Sequence, residues 1–224
     1  MSHMKYVIIA MFAIVLTAFM PWQKKQKVIF FGDSITQAGV DSGGYIVKLG
    51  ELLKSKKQDS RFELIGAGIG GNKIYDLYLR MDSDVVAKKP DIVVIWVGVN
   101  DVWHKSMYGT GTDPDKFEKF YQRLIQKLQA EKIKVILTTP AAIGEKTDFS
   151  NSQDGDLNQY AKIIRGLASR NNCGLVDLRK KFLDYDLANN PENKESGILT
   201  ADRVHLNEKG NALVAEEMLK ILTP

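Results

Sequence analysis

Cysteine is nearly missing from this 224-residue chain, where Cys173 stands alone. A lone thiol cannot close an internal disulfide, and it leaves no set of thiolates for a cysteine-based metal site. Histidine is almost as scarce. His3, His104 and His205 are the only three, so few side chains are available as a base near neutral pH. A basic arm or stripe is also lacking, because 31 cationic residues are interleaved with 27 acidic ones and leave a formal charge of +4. Lys24, Lys25 and Lys27 form the densest small cluster and read as a solvated run. No nucleic-acid partner is expected. Fixed-period repeats and low-complexity stretches are absent as well, which leaves one alternating string of strands and helices.

Only one long apolar run exists. Tyr6 to Met20 is interrupted by Thr17 alone, preceded by Lys5 and ended by Pro21. That layout fits the core of a signal peptide and falls short of the roughly 17 to 25 residues of a membrane span. Residues 1–21 are therefore expected to be a signal peptide, with an uncleaved anchor or a buried helix as the competing readings, and residues 22–224 a single domain. A secreted or periplasmic location follows, with no stable membrane partner unless the segment stays attached. No cysteine is placed there for lipidation, which disfavours a lipoprotein. Residues 1–3 have the look of a tag scar before Met4.

Apolar periodicity divides the remainder. Val28 to Phe31, Phe62 to Ile65, Asp91 to Val97, Ile133 to Leu137 and Gly174 to Asp177 read as strands, the third apolar enough to be central and covered on both faces. Between them, Ile46/Leu49/Leu53, Ile74 to Met81, Phe117/Tyr121/Leu124/Leu128 and Leu157/Tyr160/Ile164/Leu167 have helical spacing, and Val214/Met218/Ile221 follow the last strand. Asp113 with Pro114 and, later, Asn207 read as helix caps. Strands alternating with helices need crossover connections. The expected fold is an α/β three-layer α/β/α sandwich on a parallel sheet, with ligands at the carboxyl ends of the strands.

Four polar segments sit at those ends. Gly32-Asp33-Ser34-Ile35-Thr36 follows the first strand and puts a serine on the tight turn leaving the sheet, while Asp33 can accept from the freed N–H groups of that turn. Gly66-Ala67-Gly68-Ile69-Gly70-Gly71-Asn72 follows the second, without the spacing of a dinucleotide loop. Gly98-Val99-Asn100-Asp101 follows the third, and Asp202-Arg203-Val204-His205 precedes the final helix. Each taken alone is ordinary turn chemistry. Together they supply what acyl-ester hydrolysis needs. His205 is placed to take the proton of Ser34, and Asp202 to orient the imidazole. The amide N–H groups of Ser34 and Gly71 and the side chain of Asn100 are candidate donors to an oxyanion. His104 is the competing base, without an aspartate in a pre-helical turn beside it.

These blocks resemble, in order and strand placement, those of the SGNH hydrolases, also called GDSL esterases and lipases, over residues 28 to 220. The resemblance implies a flavodoxin-like five-stranded parallel sheet, a Ser34-His205-Asp202 triad with no metal or cofactor, and an oxyanion hole of Ser34, Gly71 and Asn100. Gly70 is the alternative to Gly71, which is preferred because Asn72 follows it as a polar residue usually follows the family's glycine. Ile35 stands where the family's name motif has leucine. Substrate choice is expected from the loops Gln37 to Tyr45, Val102 to Thr112 and Ala141 to Asp156, with Trp103, His104 and Tyr108 as an aromatic wall. Short-acyl ester hydrolysis on a glycan or small polar scaffold is the expected activity. Lysophospholipase or thioesterase action and a silent carbohydrate-binding module are the alternatives.

Overall fold

The computed structural model describes residues 24–224. The expected leader at 1–21 and the tag scar lie outside them. Five parallel strands form one sheet: β1 (Gln26–Gly32), β2 (Phe62–Gly68), β3 (Ile92–Trp96), β4 (Lys134–Thr138) and β5 (Gly174–Val176), in the order β2-β1-β3-β4-β5. This is the flavodoxin-like order, with the strands all parallel and the direction in which successive strands are added reversing between β1 and β3. Register runs Val28 against Leu64 on one side of β1 and against Ile92 on the other. All five residues of β3 are buried, as a parallel strand covered by helices on both faces requires.

Among the described residues, eight α-helices connect and cover the sheet: α1 (Ser34–Ala38), α2 (Tyr45–Ser55), α3 (Ile74–Asp84), α4 (Val99–Tyr108), α5 (Pro114–Ala130), α6 (Asp154–Arg170), α7 (Leu178–Asn189) and α8 (Glu208–Leu222). The stripe of α5 buries Phe117, Tyr121, Leu124 and Leu128, and that of α6 buries Leu157, Tyr160, Ile164 and Leu167. Asn207 caps α8 by accepting from Gly210 N–H at 3.0 Å. Asp113 holds the N-cap position of α5 but makes no cap hydrogen bond, because Lys105 Nζ takes its carboxylate at 2.7 Å.

Two helices depart from the sequence expectation. Most of the expected loop from Val102 to Thr112 is the helix α4, whose buried first turn sets the polar Asn100 and Asp101 between Val99 and Val102 and so breaks the apolar period. Helix α7 has no counterpart in the sequence reading. Its buried face mixes Leu178 and Phe182 with Arg179 and Asp186, which hides it in the same way.

Candidate active site

The four polar segments meet at the carboxyl edge of the sheet, around the β1/β3 switch point. Gly32 ends β1 with no room for a side chain, since a Cβ there would lie 2.4 Å from the Trp96 carbonyl oxygen. The chain then turns into α1. Buried Asp33 caps that helix by accepting from Ile35 N–H at 3.0 Å, as the turn chemistry anticipated. Ser34 is the first residue of the helix, and its Oγ lies 2.9 Å from Nε2 of His205. The partners are 171 positions apart in sequence, so only the fold joins them.

His205 is oriented by its neighbour in the same loop. Asp202 Oδ2 lies 2.7 Å from His205 Nδ1, while Oδ1 accepts from the N–H groups of His205 at 2.7 Å and Val204 at 3.1 Å. The carboxylate is thus tied to both the ring and the backbone of the histidine. Burial acts to raise the Asp202 pKa, but these hydrogen bonds outweigh it and hold the group below its ordinary range. An ionised carboxylate fixes the ring with its proton on Nδ1, leaving Nε2 as an acceptor toward Ser34.

The opposite flank carries N–H donors. Gly70 N–H donates to Gln37 Oε1 at 2.8 Å, whereas the N–H groups of Gly71 and Ser34 find no acceptor among the described residues. That difference favours Gly71 over Gly70 as a donor to substrate. Gly71 has φ +75°, and a Cβ there would meet the His104 ring at 3.7 Å. Buried Asn100, in the first turn of α4, donates one Nδ2 hydrogen to the Asn72 carbonyl at 3.1 Å and keeps a second. Lys73 Nζ donates to the Gly71 carbonyl at 3.1 Å, which further fixes this loop.

One residue absent from the sequence reading binds this flank together. The Arg80 guanidinium, on α3, donates to the Gly32 and Ala67 carbonyls at 2.7 and 3.0 Å and to Asn72 Oδ1 at 2.7 Å. It also pairs with Asp84 at 2.8 Å and lies over the Phe31 ring at 4.5 Å. One planar fork therefore joins the ends of β1 and β2 and the loop that approaches Asn100. Sequence offers no motif for it, since an arginine at helical spacing usually reads as surface.

Beneath the site, burial pushes the carboxyls of Asp33 and Asp101 up to about 7 each, with the charge of Asp33 adding to the effect at Asp101. Among the aromatic candidates, Trp103 stands edge-on to His205 with ring centroids 6.4 Å apart, and His104 packs between Trp103 and Tyr108. These three therefore form a continuous row on α4, a helix where a loop was expected. Burial, and then the charge of Lys73, keep His104 below the usual histidine range. It makes no hydrogen bond to Ser34 among the described residues. No group of three or more His, Cys, Asp or Glu in this region is arranged to hold a metal ion.

Comparison with known proteins gives the family and the fold. The acetyl xylan esterase AlAXEase has a crystal structure that superposes with a TM-score of 0.85 at 69% identity, covering 87% of this chain and 98% of that one. The acetylxylan esterase of Geobacillus stearothermophilus is 28% identical over 87% of this chain and 93% of its own length. Solved structures of that enzyme include catalytic mutants at a serine and at a histidine, each 25% identical to this chain, with TM-scores of 0.78 and 0.77 over 91% and 92% of this chain and 97% of theirs. The lipoprotein YqeF of Bacillus subtilis is 26% identical over 95% of this chain and 96% of its own. Residues 30–213 match the GDSL-like lipase/acylhydrolase family. With that match across most of its length, the chain belongs to the GDSL-like lipase/acylhydrolase family and is a carboxylic ester hydrolase.

Proposed function

We propose that this protein removes short acyl groups, acetyl above all, from esters on a carbohydrate, with Ser34 as nucleophile, His205 as base and Asp202 as its orienting acid. The observation that carries the reading is the unbroken line Ser34 Oγ, His205 Nε2, His205 Nδ1, Asp202 Oδ2, with spacings of 2.9 and 2.7 Å. Ser34 attacks the ester carbonyl carbon as its proton passes to His205. Charge collects on the former carbonyl oxygen, where the N–H groups of Ser34 and Gly71 and the free hydrogen of Asn100 are the proposed donors. Collapse expels the sugar alkoxide, which takes the proton from His205 and leaves Ser34 acylated. Water, deprotonated in turn by His205, then releases the carboxylate and restores the hydroxyl.

The names of the similar enzymes support acetyl esters of a xylan-like carbohydrate as the substrate class. The aromatic row Trp103, His104 and Tyr108 offers flat surface suited to a sugar ring beside the base. Tyr108 is exposed and available for that contact. Residues 1–21 would export the enzyme to where such polymers are found. No helix among the described residues is long and apolar enough to cross a membrane.

Turnover of nitrophenyl acetate against nitrophenyl octanoate, with acetate release from an acetylated xylo-oligosaccharide in parallel, tests the reading. Acetate is expected to be the better acyl group and the oligosaccharide to be deacetylated. A clear preference for octanoate, with no deacetylation, would favour a lysophospholipase or thioesterase instead.

A further inference from the structure

The loop that presents His205 is stapled from below by a buried acid. Glu145 lies in the segment after β4, is 1% exposed, and makes no ion pair among the described residues. Its Oε2 accepts from Ile198 N–H at 2.8 Å, and its Oε1 from Leu199 and Thr200 N–H at 2.7 and 2.6 Å. Three consecutive backbone donors thus converge on one carboxylate, a nest filled by a side chain 53 to 55 positions away. The backbone adds two more links, from Glu145 N–H to the Glu195 carbonyl at 3.0 Å and from Gly144 N–H to the Arg203 carbonyl at 2.9 Å. The second reaches between Asp202 and His205, at a residue held at φ +84°.

The clamped stretch is the stem of the turn that carries both groups. Thr200 bridges to Leu206 in antiparallel fashion, Ala201 N–H donates to the His205 carbonyl at 2.8 Å, and Asn207 N–H to the Leu199 carbonyl at 3.0 Å. Fixing residues 198–200 therefore fixes one side of a closed turn whose other side is His205 and the start of α8. An acid is needed for this task because a carboxylate offers only acceptors. A glutamine would have to set its NH₂ group against at least one of the three N–H donors.

We infer that Glu145 is a positioning residue, which sets the distance between His205 and Ser34 by holding the turn through its backbone. The inference rests on the reading of Ser34 and His205 as nucleophile and base. A shift of the ring by about 1 Å is worth about 10²-fold in rate. The test is a double-mutant cycle on nitrophenyl acetate with Glu145→Gln, His205→Ala and the pair, each variant checked for cooperative melting. Glu145→Gln is expected to lower kcat about 10- to 100-fold with KM within about 2-fold. In the His205→Ala background it is expected to change the residual rate by less than about 2-fold, since a base that is gone cannot be misplaced. If Glu145→Gln does not fold, Glu145→Asp is measured in its place, with the same outcomes. A kcat within about 2-fold of the parent, or an equal loss in both backgrounds, overturns the positioning role. High activity retained by His205→Ala itself would instead overturn the assignment of the base.

Discussion

The two flanks of the active site are built by opposite means. The proposed nucleophile Ser34 and the proposed donors Gly71 and Asn100 stand at the start of α1, in the loop after β2 and at the start of α4, all beside strand ends whose placement is set by the sheet. Arg80 then joins those ends with a single guanidinium. The proposed base His205 and its partner Asp202 stand on an irregular turn before α8, with both side chains partly exposed. That turn has no sheet to lean on and is held from beneath by Glu145. A cation that collects carbonyl groups secures one flank, and an anion that collects N–H groups secures the other. The contrast shows how distant chain segments can be brought to hydrogen-bonding distance without extending the sheet.

The sharpest way to break this comparison is to remove the reacting groups. His205→Ala is expected to cost about 10³-fold or more in kcat, while His104→Ala changes it far less. Steady-state rates on nitrophenyl acetate decide the point, and equal losses would move the base to the α4 side. Asn100→Ala comes next, with an expected loss of about 10² to 10³ in kcat and little change in KM, as for removal of one oxyanion donor. Loss confined to KM would make Asn100 a ground-state contact only.

Arg80→Ala should act chiefly on stability. It removes the Arg80 donor from the half-buried Ala67 carbonyl and Asn72 Oδ1 and from the buried Gly32 carbonyl, to which Ile69 N–H still donates at 3.2 Å, and a buried acceptor left unpaired costs about 1 to 3 kcal/mol. A denaturant melt is expected to show a loss of at least about 2 kcal/mol. A variant as stable as the parent would mean that water or another donor replaces the fork.

The smallest expected effect concerns pH. Asp33 and Asp101 sit at about 7 in the folded chain, above the ordinary value of an aspartate, so the folded state binds more protons than the unfolded state between about pH 4 and 7. Their contribution to stability is present at low pH and is lost as pH rises through about 7. Asp202 and Asp84 are depressed and act in the opposite sense, being lost only as pH falls below the ordinary carboxylate range. Melting temperature is therefore expected to decline between about pH 4 and 7, and to decline less in Asp101→Asn. An unchanged slope in that variant would remove Asp101 from the account.

Much of this was legible in the sequence, for reasons visible in particular residues. Short β-branched runs such as Ile92 to Trp96 read as buried strands, and alternation with helices points to a parallel sheet, so the edge holding the chemistry followed. That Ser34, His205, Asp202 and Asn100 would converge was legible because each sits beside a glycine turn or a helix start at the strand ends. Gly71 was preferred to Gly70 only through the polar Asn72 that follows it, and the hydrogen bond from Gly70 N–H to Gln37 adds a physical reason for that preference. Helices α4 and α7 were missed because buried Asn100, Asp101, Arg179 and Asp186 interrupt the apolar period. Arg80 and Glu145 left no signal at all, since their partners are backbone groups, which carry no residue identity.

A serine-directed organophosphonate read by mass spectrometry addresses the central claim most directly. One adduct per chain is expected, on the peptide that contains Ser34, in step with loss of activity and absent from Ser34→Ala. An inactivated enzyme with its adduct on another residue, or full activity retained by Ser34→Ala, would contradict it.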